Sequence, residues 1–169
     1  DKSVWAVDLK SKGPWKPEKT FAAAISADGK QVAIGDSEGV IHLLHPSDGK
    51  ELRNWQGQER AITDLAFSPN GELLAATARE TGPVKVWNLA TKKQLDATNG
   101  PPEAHSVAFS PDGRFLLVGG QGTLSLCTIT TDESGNHRVT GQSSVSIWPN
   151  HPRPRVLSVA ASKDGLWIA

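Results

Sequence analysis

The chain has one cysteine, Cys127, and neither tyrosine nor methionine. A lone cysteine forms no internal disulfide, and it excludes cysteine-cluster zinc sites and Cys-x-x-Cys redox motifs. It favours a reducing, cytoplasmic compartment without excluding export. Neither sign of charge is in excess: Lys+Arg is 18, Asp+Glu is 18, and the formal net charge is zero. That balance argues against a dedicated nucleic-acid surface and against a polybasic membrane surface. No apolar run approaches membrane-spanning length, so no membrane insertion is expected. Residues 1–20 carry no signal-peptide core, and a start at Asp1 points to a processed or truncated beginning.

Catalytic patterns are missing too. The sequence holds no Gly-x-Ser-x-Gly elbow, no Walker loop and no His-Glu-x-x-His. Gly-Gly-Gln-Gly at 119–122 follows an expected strand and precedes another, so it lacks the helix N-terminus of a phosphate-binding loop and reads as a turn. His42 and His45 alternate with apolar residues and read as ordinary strand histidines, because no further metal ligands converge on them. Cys127 reads as a small apolar residue of an outer strand; a catalytic thiol would need a nearby histidine and an electropositive site. No enzyme activity, cofactor or metal is expected from these residues.

Glycine and proline are plentiful, at 16 and 11, and they sit at regular turn positions. Four turns align: Ser26-Ala27-Asp28-Gly29, Ser68-Pro69-Asn70-Gly71, Ser110-Pro111-Asp112-Gly113 and Ser162-Lys163-Asp164-Gly165. Their spacings of about 42, 42 and 52 residues are the period of propeller blades. Asp or Asn caps each turn, and Gly accepts the positive φ. A short apolar strand precedes each one, and its small alanines suit an innermost position where blades crowd together. Asp28, Asp112 and Asp164 recur at one turn position, so capping explains them together.

FSPNGELLAATARETGPVKVWN and FSPDGRFLLVGGQGTLSL carry the clearest repeats. With the period, they make the chain resemble WD40-repeat proteins over almost all its length. The N-terminal VWAVDLKSKGPW is also similar to blades of quinoprotein-type propellers. The WD40 resemblance implies an all-β fold, a β-propeller of four-stranded antiparallel blades. About four blade equivalents are expected. They are a half blade at 1–20, blades at 21–57, 58–100 and 101–150, and a second half blade at 151–169. In the third blade, residues 130–141 read as an extended hairpin tip and 144–148 as its last strand. Three arrangements account for the count: a segment of a longer propeller, two copies that complete each other's half blades, or a four-bladed ring that closes alone.

Some residues depart from the family's pattern. Gly57-Gln58 stands where the family often has Gly-His, Ala76 where it has a Ser/Thr, and Cys127-Thr128 where it has Trp-Asp. The family's polar network is therefore not expected intact.

The resemblance implies a protein or peptide partner, bound on a propeller rim. One rim would carry Gln58, Glu59, Arg60, Arg79, Glu80, Thr81 and Gln121, and then His151, Arg153 and Arg155. Two arginines and a histidine stiffened by prolines suit an acidic peptide or a phosphate group. The competing reading of 151–155 is a solvated linker. Trp15, Trp55 and Trp148 fall near expected outer strands, where packing explains them better than an aromatic cage. The chain thus reads as a non-enzymatic interaction platform. The rival reading is a propeller part of a larger redox or hydrolytic enzyme whose active site lies outside these residues.

Overall fold

The computed structural model describes residues 20–79, 84–95, 100–101, 103–146 and 155–162. Residues 1–19 of the expected half blade at 1–20, Trp15 among them, lie outside the described residues, as do Trp148 and the strand beginning at Leu166; Thr20 belongs to the first strand of the next sheet.

Three four-stranded antiparallel sheets follow one another along the chain. The first contains β1 (Thr20–Ile25), β2 (Val32–Asp36), β3 (Val40–Leu44) and β4 (Glu51–Gln56). β5 (Ile62–Phe67), β6 (Leu73–Ala78), β7 (Lys85–Asn88) and β8 (Lys93–Gln94) form the second. The third comprises β9 (Ser106–Phe109), β10 (Phe115–Gly119), β11 (Thr123–Thr131) and β12 (His137–Ser146). Within each sheet, chain order is spatial order. The first strands β1, β5 and β9 pack side by side. The fold is the all-β blade architecture of a propeller, and the described residues include no helix long and apolar enough to cross a membrane.

The repeated turn is built as its residues suggest. Gly29, Gly71 and Gly113 have φ of 70°, 72° and 73°. The serine does more than the sequence reveals. The Ser26 hydroxyl donates to Asp28 at 2.7 Å and accepts from the Gln31 N–H at 3.0 Å. Ser68 and Ser110 repeat both bonds with Asn70 and Leu73, and with Asp112 and Phe115. Each serine thereby closes its turn onto the next strand, which is why all three are buried.

The core lies between sheets. Ala33, Ile41, Ile62, Leu74, Ala76 and Trp87 join the first sheet to the second, while Val84, Val86, Val107, Leu116, Val118 and Cys127 join the second to the third. Burying such side chains contributes about 1.5–3 kcal/mol each for the larger ones. Cys127 is fully buried in this second cluster, which suits packing rather than nucleophilic chemistry.

Polar bonds staple the inner strands together. Asp64 accepts from the Ser106 hydroxyl at 2.7 Å and from the Val107 N–H at 2.9 Å. The Ser106 hydroxyl oxygen in turn accepts from the Val159 N–H at 3.0 Å. Asp64 and Ser106 occupy one repeat position, and each caps the chain of the following repeat. The first repeat has Ala22 there, which cannot accept; the second carboxylate oxygen of Asp64 takes its own neighbour's N–H, from Leu65, at 2.9 Å instead.

The hairpin of the third sheet differs from expectation. β12 begins at His137 rather than at 144, and the tip shrinks to residues 132–136. Asp132 fixes that tip by accepting from the Ser134 and Asn136 N–H groups. The polar residues of 137–141 are strand because they pair with β11 through a bulge beside Cys127. His137 then reaches Glu72 of the second sheet at 3.0 Å, so the hairpin leans on its neighbour.

Candidate functional site

Inner strands and their adjoining turns enclose a cleft of about 310 Å³. Phe21, Thr63 and His105 line it from the three sheets, and Leu157 lines it from the segment that follows. These four residues share one repeat position, spaced as the turns are. Arg79 and Arg155 complete the wall.

Main-chain bonds set where each basic side chain starts. The Arg79 N–H donates to Ala61 at 3.0 Å, tying the end of β6 to the start of β5. The His105 N–H donates to Gly119 at 2.8 Å. Arg155 forms an antiparallel bridge with Gln121, and the adjacent Val156 N–H donates to Gly120 at 2.9 Å. Gly119 makes that approach possible: a Cβ there would lie 2.6 Å from Val156. The Gly-Gly-Gln-Gly turn therefore serves close packing.

Charge in the cleft is mostly positive. Glu103 lies 3.8 Å from Arg155 and 3.9 Å from His105. Burial, then the Arg155 charge, holds the His105 imidazole below its ordinary pKa; Glu103 opposes this shift and Arg79 adds to it. His105 is therefore neutral near pH 7. Its Nε2 is buried without a hydrogen-bond partner among the described residues. Two guanidiniums, a partner-seeking imidazole and the exposed apolar Phe21 and Leu157 can together hold a carboxylate beside an apolar group.

Of the rim residues singled out from the sequence, Arg79 and Arg155 come together in this cleft. Arg60 and Gln121 are exposed but do not line it. Glu80, His151 and Arg153 lie outside the described residues. Gln58 departs from its expected rim position: it is buried, and its Nε2 donates to the Ala76 carbonyl at 3.2 Å. A main-chain acceptor thus replaces the side-chain network that this repeat lacks. His105, Phe21 and Leu157 were missed, although the repeat spacing alone marks them as equivalent positions.

His42 is a strand residue with carboxylates on both sides. Its Nδ1 lies 2.8 Å from Glu51 and its Nε2 3.6 Å from Asp36. No group of three His, Cys, Asp or Glu among the described residues could hold a metal ion.

A family model described as "WD domain, G-beta repeat" matches residues 49–88 and 93–127. DNA damage-binding protein 2 of Mus musculus is 34% identical over 128 residues, covering 73% of this chain and 26% of that protein. The Protein LST8 homolog of Drosophila melanogaster is 30% identical over 136 residues, covering 75% of this chain and 42% of that protein. Small ribosomal subunit protein RACK1 of Caenorhabditis elegans is 31% identical over 106 residues, or 56% of this chain and 32% of that protein. The chain thus matches less than half the length of each of these curated relatives.

Proposed function

We propose, because this chain belongs to the WD40-repeat family, that it is a non-enzymatic interaction platform whose inner cleft receives a protein segment. The observation that carries this reading is the convergence of Arg79 and Arg155 with Phe21 and Leu157 in one cleft. The segment it fits presents a carboxylate next to an apolar side chain. Arg60 and Gln121, both exposed, extend the contact around the same rim.

Selection of peptides from a random library on the intact protein tests this. Sequences that pair acidic with apolar residues should be enriched. Replacing both arginines, Arg79→Gln with Arg155→Gln, should weaken the best peptide by about tenfold or more, since each charge-assisted bond contributes about 1.5–3 kcal/mol. Enrichment of basic sequences, or affinity unchanged in the double variant, would sink the reading.

A further inference from the structure

A second cleft lies on the flank, between the outer strands of the first two sheets. It measures about 260 Å³ and is lined by Arg53, Asn54, Trp55, Trp87, Lys92 and Gln94. Among the described residues, β8 spans two residues against six in β4. Trp55 and Trp87 meet edge to face with ring centroids 6.0 Å apart. The Arg53 guanidinium stacks 4.6 Å from the centre of the Trp55 ring.

Packing alone explains neither of two further features. First, Arg53 Nε and Trp55 Nε1 are buried yet have no hydrogen-bond partner among the described residues. Buried donors without an acceptor are costly and uncommon. Second, Lys92 has φ of 60°. The corresponding turn of the first sheet uses Gly49, with φ of 66°. Register sets this correspondence: His42 pairs with Ile34 as Lys85 pairs with Ala76. A left-handed conformation strains lysine and not glycine. Strain held in one turn and relieved in its equivalent points to a use for the side chain, and this side chain lines the cleft.

We propose that the flank cleft binds an acidic peptide segment, with carboxylates meeting Arg53 and Lys92 and an acceptor meeting the Trp55 indole N–H. Among the described residues, no carboxylate lines the cleft. Glu51, the acid on β4, is already engaged by His42 at 2.8 Å. A nucleic acid fits less well. Arg53 covers one Trp55 face, and Trp87 is 5% exposed, so the indoles offer no open platform for bases.

The test uses the intact protein with Arg79→Gln and Arg155→Gln already in place, which separates this site from the inner cleft. The probe is a short fluorescein-labelled peptide of alternating glutamate and leucine, followed by anisotropy beside its glutamine-leucine counterpart. The acidic peptide should bind and the neutral one should not. Arg53→Gln should weaken binding by about tenfold. Lys92→Gly should weaken it about fivefold while raising Tm by about 2–4 °C, because strain is relieved as a charge is lost. This opposite movement of affinity and stability does not depend on a destabilised variant. No binding up to about 1 mM, affinity indifferent to both substitutions, a lowered Tm in Lys92→Gly, or tighter binding of a single-stranded oligonucleotide would each overturn the proposal.

Discussion

Gly35 shows how tightly a single residue can tie one sheet to the next. A Cβ at Gly35 would lie 2.4 Å from Ile62 Cγ2. Gly119 stands in the same relation to Val156, at 2.6 Å. The intervening repeat has Thr77 and Ala104 at these positions. There Thr63 bridges them, with its hydroxyl 2.9 Å from Thr77 Oγ1 and 3.4 Å from the Ala104 carbonyl. Large faces small at each boundary, and the two members change together. Gly35→Ala should therefore destabilise the protein by about 1–3 kcal/mol through overpacking. Its cost should fall in an Ile62→Ala background, as a double-mutant cycle in urea would record. Equal costs in the two backgrounds would show that the contact is not responsible.

Elements are held in place by polar staples as much as by apolar contact. Asp64 links β5 to β9, and Ser106 links β9 to the segment containing Val159. Asp64→Ala leaves the N–H of Val107 and the buried Ser106 hydroxyl without their acceptor, at a cost of about 1–3 kcal/mol. Asp64→Asn keeps one acceptor oxygen and should cost less. Urea unfolding followed by circular dichroism would rank the two variants; an Asn variant as unstable as the Ala variant would show that charge matters more than the bonds. The hairpin of β11 and β12 is braced differently, through His137 and Glu72. Its length could be seen from the longer third repeat. Its strand boundary could not, because residues 137–141 are mostly polar and gain their strand character from pairing with β11.

At the scale of the whole molecule, the inner cleft exists only where separate sheets converge. Folding favours neutral His105, whose ordinary pKa is 6.5. The fold's preference for the neutral ring therefore weakens the unliganded protein as pH falls below that value. A bound carboxylate reverses the preference by favouring the imidazolium. Affinity for an acidic peptide should thus rise between pH 7.5 and pH 6, by about two- to fivefold, and His105→Gln should flatten the profile. Calorimetric titration at several pH values reads this directly; a profile that persists in His105→Gln would assign the proton elsewhere.

The sequence alone determined the repeat, the turns and the strand order. Ser-x-Asp-Gly turns and alternating apolar strands are local devices, and their chemistry acts within a few residues. Through the family resemblance it also singled out Arg79 and Arg155, both of which line the inner cleft. Only the tertiary structure decided that these two share a cleft with His105, that Gln58 turns inward to a main-chain carbonyl, and that Arg53 and Lys92 line one cleft on the flank. Each of these depends on contacts between residues tens of positions apart, where packing between sheets sets the direction of a side chain. Periodicity says which strand a residue occupies; the neighbouring sheet determines what it touches.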